Sequence, residues 1–284
     1  MRAPAPDAPC WLDGRRTTVG EIGLTIDDPA CLAGVGVFET LGLERGIPLD
    51  LADHLARLDL AARLWNLTLP PKDALERQVA EAAASYGPSG WVKIVVTGGG
   101  RSIVFGGPRG AEPGAPASAV VLPWRRDPRD PLAAHKTLSR ARETLGLAYA
   151  RKHGADEGLW LNSRGHVAEA CTANVFVIDG RRLFTPGPWD GILPGIVRGR
   201  AIEAARGLGW LVHEGKLRRD RFRRAKEAFL TSSVAGIRPL VSVDGTPVGS
   251  GRPGPGTARL AREVAQLRRK HSAPLDTTSG DRDL

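Results

Sequence analysis

Three cysteines in 284 residues, Cys10, Cys31 and Cys171, are too few, too scattered and odd in number for a disulfide framework or a zinc spacing. Aromatic residues are scarce too, at 5%, and only seven of the 40 basic residues are lysine. A nucleic-acid-binding surface more often carries a basic stripe interleaved with aromatics. The net charge of +9 therefore points to small anions such as phosphates and carboxylates, and no nucleic-acid partner is expected. No apolar run is long enough to span a bilayer, and the start MRAPAPDAPC lacks the apolar stretch of a signal peptide. The expectation is a cytoplasmic protein of a reducing compartment, without a membrane partner.

Familiar catalytic fingerprints are missing as well. No Gly-Lys-Ser/Thr follows Gly98–Gly100, and Gly34-Val35-Gly36 lacks the third glycine and the helix of a dinucleotide site. His54, His135, His153, His166 and His213 show no metal-ligand spacing, so no metal is expected. Ser232–Ser233 has none of the glycines of a nucleophile elbow.

What is present is an ordinary globular composition, 42% hydrophobic and 25% charged, on a chain long enough for about two domains. Residues 1–10 and 272–284 read as loose ends. The richest Pro/Gly stretch is Gly106–Pro116, but a second break at Arg125–Pro131 serves as the natural boundary. It divides the chain into a small N-terminal lobe, 1–125, and a larger lobe, 126–284. In the first, Val35–Leu43 and Trp91–Val96 read as strands, Asp50–Leu67 as a helix with Asp50 at its N-cap, and Lys72–Tyr86 as another helix. In the second, Thr137–His153, Ile196–Gly207 and Thr257–Arg268 read as helices. Gly158–Leu161, Val175–Ile178, Glu227–Leu230 and Leu240–Val243 read as strands. The class is α+β, without the regular βαβ rhythm of a Rossmann fold.

Several polar residues sit in apolar or turn contexts: Arg57 in DHLARL, Lys136 in AAHKTL, Glu169 in HVAEACTANVF, and the hydroxyl-rich turn Thr231–Ser233. Leu193–Val197 (LPGIV) opens a helix, whose free N–H groups can hold an anion.

The order FETL, HLARL, HKTLSR, GADEGLWLNSRGHVAEACTANVFVIDGRRLFTP, GILPGIVR, EAFLTSSVAGIRPL and VDG resembles the class IV, or fold type IV, pyridoxal-phosphate enzymes, from about Gly34 to about Leu267. That family includes branched-chain aminotransferases, D-amino-acid aminotransferases and 4-amino-4-deoxychorismate lyases. The resemblance implies a two-lobed α+β fold, with a small N-terminal α/β lobe, a larger C-terminal lobe, pyridoxal 5′-phosphate (PLP) between them, and a homodimer. It implies Lys136 as the Schiff-base lysine and Glu169 as the partner of the pyridine nitrogen. Arg57, the amides of Ile196 and Val197, and the Ser233 hydroxyl would hold the phosphate. Ser233–Val234 would offer amides to a substrate carboxylate, and Glu39 would lie at the small-lobe side of the pocket.

The chemistry accounts for these residue types. A lysine amine forms an imine with an aldehyde and then shuttles a proton. A carboxylate keeps the ring nitrogen protonated, so that the ring accepts carbanion charge. Arginine grips a phosphate with a planar fork. Val197 departs from the threonine of many members and removes one phosphate hydroxyl. Branched-chain aminotransferases carry a tyrosine five residues after the lysine, where this chain has Ala141, and the string KTLSR fits the K-x-L-x-R of the deoxychorismate lyases. GGGRS lacks the Arg-x-His pair of the D-amino-acid enzymes. The leading expectation is a lyase releasing pyruvate and 4-aminobenzoate, a folate precursor, from a small anionic amino substrate. An amino-acid aminotransferase is its rival, and a non-catalytic PLP-binding protein the reading of another class.

Overall fold

The computed structural model describes residues 4–109 and 114–272, and these form two compact units. The first contains residues 4–109, 136–139 and 268–272; the second contains 114–135 and 140–267.

The first unit is built on a six-stranded antiparallel sheet, ordered Arg15–Thr18, Pro9–Leu12, Ser102–Pro108, Ser89–Thr97, Gly36–Glu44, Ile47–Pro48. Side chains alternate across a strand. Val37, Leu41 and Leu43 therefore join Val92, Ile94 and Val96 in one core, while Phe38 joins Val95 and Ile103 in another. The helices Leu51–Leu64 and Lys72–Ser85 cover the first core. In the former, Leu51, Leu55, Leu58 and Ala62 recur at the three- and four-residue spacing of one helix face.

The second unit is organised by a ten-stranded mixed sheet. Its main path runs Leu211–Glu214, Arg182–Thr185, Asn174–Asp179, Glu227–Ser232, Gly236–Val243, Ala117–Arg126, Glu157–Asn162, His166–Ala170, Leu217–Arg218. Ile196–Gly207 and Pro255–His271 bury Ala201, Ala205, Leu260 and Val264 with Phe176 and Phe229. The α+β class holds, and no helix of the described residues is long and apolar enough to cross a membrane.

The division differs from the expected 1–125 and 126–284. Ala117–Arg126 pairs in parallel with both Gly236–Val243 and Glu157–Asn162, so it is an inner strand of the larger sheet. The break falls in the Pro/Gly-rich stretch before it, part of which, 110–113, lies outside the described residues. Residues expected to be loose are partly structured. Pro9–Leu12 is a strand with Cys10 fully buried, and Ser272 is buried with its hydroxyl accepting from the Asp50 N–H at 2.8 Å. Residues 1–3 and 273–284 lie outside the described residues. The helix expected over Thr137–His153 starts only at Ala141. Its first residues are extended instead, because Thr137 bridges Val37 and the Leu138 N–H donates to the Gly36 carbonyl at 2.9 Å.

Candidate functional site

In the first unit the extended segment fixes Lys136. Its carbonyl accepts from the Phe38 N–H at 3.0 Å, and its ammonium lies 4.4 Å from the Phe38 ring centroid. The Lys93 ammonium lies 4.8 Å from the same centroid. Gly36 permits this close approach: at φ +148° its backbone suits glycine, and a Cβ there would meet Leu138 Cδ1 and the Val96 carbonyl, both at 2.6 Å.

On the helix-facing side, Glu39 is fully buried and makes three hydrogen bonds. Arg57 Nε donates to Oε1 at 2.7 Å, Arg57 Nη2 donates to Oε2 at 2.8 Å, and His54 Nδ1 lies 2.7 Å from Oε2. An ionised carboxylate only accepts, so Nδ1 carries the proton. His54 and Arg57 are three residues apart on Leu51–Leu64 and project from one face. Burial lowers the His54 pKa below the ordinary value, against the opposing pull of Glu39. For Glu39, burial acts to raise the pKa, but the His54 and Arg57 contacts outweigh it and bring it down to about 2.

Asp50 does not cap the helix as expected. It adopts left-handed backbone at φ 56°, makes no side-chain cap bond, and instead accepts from Arg268 Nε at 2.6 Å.

The Glu39 shift has a measurable consequence. A carboxyl with a folded-state pKa below its unfolded value contributes stability that is complete above the unfolded value and lost as pH falls through the folded one. The unfolding free-energy difference between wild type and Glu39→Gln should thus shrink as pH falls from 4.5 towards 2. Urea titrations at a series of acid pH values measure it, and a difference independent of pH would refute the ion pair.

In the second unit Glu169 lies in the strand His166–Ala170, one residue before its end, and is buried. Its Oε1 accepts from Arg126 Nη1, and its Oε2 accepts from Asn174 Nδ2 and the Leu193 N–H, each at 3.1 Å. Asn174 Nδ2 also donates to the Leu193 carbonyl at 2.9 Å, tying the strand to the segment that leads into Ile196–Gly207. Burial raises the Glu169 pKa, with Arg126 as the main opposing influence. Arg126 is buried, bonds Glu143 through Nη2 at 2.8 Å, and lies over the Trp160 ring.

The helix Ile196–Gly207 has Gly195 at its N-cap without a side-chain cap bond, so the first-turn amides at Ile196 and Val197 are not met by a capping side chain. Val197 is buried. Ser233 and Val234 lie in the turn joining Glu227–Ser232 to Gly236–Val243, both half-buried.

Each unit thus gathers part of the expected set: Lys136, Glu39 and Arg57 in the first, Glu169, Ile196, Val197, Ser233 and Val234 in the second. Sequence reasoning missed Arg126, His54 and Asn174. Arg126 was absorbed into an apparent linker, and His54 was weighed only as a metal ligand. The three-residue interval from His54 to Arg57 was the signal that could have joined them.

The family model for amino-transferase class IV matches residues 36–243. The chain belongs to the class IV aminotransferases. Among curated relatives of this class IV chain, the branched-chain-amino-acid aminotransferase of Escherichia coli is 37% identical over 165 residues, covering 56% of the chain and 53% of the relative. The match thus spans about half the length of that curated relative. A crystal structure of the Escherichia coli branched-chain aminotransferase superposes with TM-score 0.85 at 25% identity, covering 95% of this chain and 98% of that one. A Legionella pneumophila structure provisionally named as 4-amino-4-deoxychorismate lyase superposes with TM-score 0.77 at 28% identity, covering 86% and 95%. The fold of this class IV member is the one those structures share.

Proposed function

We propose that this class IV enzyme, which uses PLP, is a lyase that converts 4-amino-4-deoxychorismate to 4-aminobenzoate and pyruvate. The observation that carries the reading is the segment Lys136-Thr137-Leu138-Ser139-Arg140-Ala141. It has the K-x-L-x-R string of the lyases and an alanine where branched-chain aminotransferases have tyrosine. In the structure, Arg140 Nη2 donates to the Cys171 carbonyl at 2.9 Å, and Ala141 begins the helix Ala141–Lys152.

The residues present fit the cofactor. A buried carboxylate held by two N–H donors and an arginine suits a protonated pyridine nitrogen, and an uncapped helix start suits a phosphate. Bound PLP supplies an aldehyde that captures amines covalently and a ring that takes up carbanion charge. Lys136 is the covalent anchor and then the base that removes the substrate's ring proton. Glu169 keeps the pyridine nitrogen protonated. Arg57, the Ile196 and Val197 amides and the Ser233 hydroxyl hold the phosphate, and the Ser233–Val234 amides orient a substrate carboxylate. Expulsion of the side chain as pyruvate makes the substrate ring aromatic. The reading carries with it a cytoplasmic homodimer acting in folate biosynthesis.

The second reading is amino transfer between an amino acid and a 2-oxo acid, favoured by the 37% identity to the Escherichia coli enzyme. The two readings differ in what they consume: amino transfer would need a 2-oxo acid as acceptor, whereas the lyase would need none. We expect 4-aminobenzoate and pyruvate from 4-amino-4-deoxychorismate with no 2-oxo acid added. Leucine and valine should leave the absorbance of the loaded enzyme nearly unchanged. Rapid bleaching by leucine, with no 4-aminobenzoate formed, reverses the order.

A further inference from the structure

We infer that Glu39 and His54 are positioning residues that hold the Arg57 guanidinium in the orientation the cofactor phosphate requires. This rests on the reading of Arg57 as a phosphate ligand. The resemblance puts Glu39 at the small-lobe side of the pocket, and in the structure its carboxylate pairs with Arg57. Glu39 is fully buried on a sheet strand, and both of its oxygens are engaged by His54 and Arg57.

An arginine on a helix surface samples many rotamers, and freezing it on binding opposes affinity. Here the freezing is done in advance. The paired bonds from Nε and Nη2 fix the plane of the guanidinium as well as its position. They occupy one edge of a planar group with five N–H donors, so its plane is set before a phosphate arrives. Glu39 is itself held by the strand register Glu39↔Ile94 and by the His54 Nδ1 bond. His54 adds a hydrogen bond to the same carboxylate through Nδ1. The Glu39 carboxylate also compensates the arginine charge before any phosphate arrives, so the arrangement is stable in the cofactor-free chain.

His54 Nε2 is buried without a hydrogen-bond partner. The ring is therefore held through Nδ1, and asparagine can place an amide donor near that atom.

The test compares binding of PLP and of pyridoxal, its phosphate-free form, to cofactor-stripped full-length protein by absorbance titration. Glu39→Gln should weaken PLP about tenfold or more, the worth of one charge-assisted contact, and leave pyridoxal affinity unchanged. His54→Ala should weaken PLP selectively but less, and His54→Asn should restore most of the loss. If Glu39→Gln does not fold, the two His54 variants carry the test. Equal weakening of both ligands, or no weakening of PLP, overturns the inference. Arg57→Ala separates it from the reading beneath: loss of the phosphate preference in Arg57→Ala alone overturns only the positioning role. A preference that survives Arg57→Ala overturns both.

Discussion

Lys136→Ala should abolish the visible absorbance band of the PLP-loaded protein and lower turnover by about 10⁴-fold or more, the scale seen when a covalent catalytic residue is removed. The backbone of this residue has a structural role of its own. The carbonyl accepts from Phe38, and the neighbouring residues bridge Val37 and Gly36. Alanine keeps those bonds, so thermal unfolding of the apoprotein should change little while the chemistry disappears. Absorbance spectra, steady-state kinetics and unfolding on one preparation separate the two roles. A fully active variant would falsify the assignment. A covalent link mapped by peptide analysis to Lys152, exposed at the end of Ala141–Lys152, would show that another amine serves.

Glu169→Gln should retain PLP but slow turnover by roughly 10²-fold or more, the scale of losing one oriented electrostatic contact at a reacting centre. Glutamine has the same shape and can still accept from the Leu193 N–H and Asn174, but it has no charge to keep a ring nitrogen protonated. It also leaves Arg126 with Glu143 as its carboxylate partner. Some loss of stability is therefore expected, and turnover decides the question. Unchanged turnover with a lower unfolding temperature would make Glu169 a structural partner of Arg126 and nothing more.

The two carboxylates show how far residue-level reading reaches. Glu169 stands out in the sequence as a lone acid among small and apolar residues entering a strand. Its surroundings were not legible there, because Arg126 is 43 positions away and Leu193 is 24. Glu39 sits in an apolar strand and reads equally well as a group facing substrate or a group facing a helix. Strand alternation leaves two faces open, and only the packed helix with His54 and Arg57 selects one. Asp50 looked like a cap from its place before an apolar period. Its left-handed backbone and the distant Arg268 gave it another partner.

By itself the sequence determined the local elements, since helical and strand periods are written within each segment. The helix Ile196–Gly207 and the strand around Glu39 fall where their spacing places them, whereas the strand His166–Ala170 that carries Glu169 was not read from its spacing. It also determined the family, because the order of short motifs survives without any knowledge of contacts. The tertiary structure alone decided where the chain divides and which groups hold the functional side chains. Ala117–Arg126 belongs to the larger sheet through parallel pairing on both sides, and Lys136 is extended through backbone bonds to a strand about a hundred residues earlier. Contacts of that separation come from burying apolar faces and satisfying backbone donors across the whole fold, and no short window of sequence contains both partners.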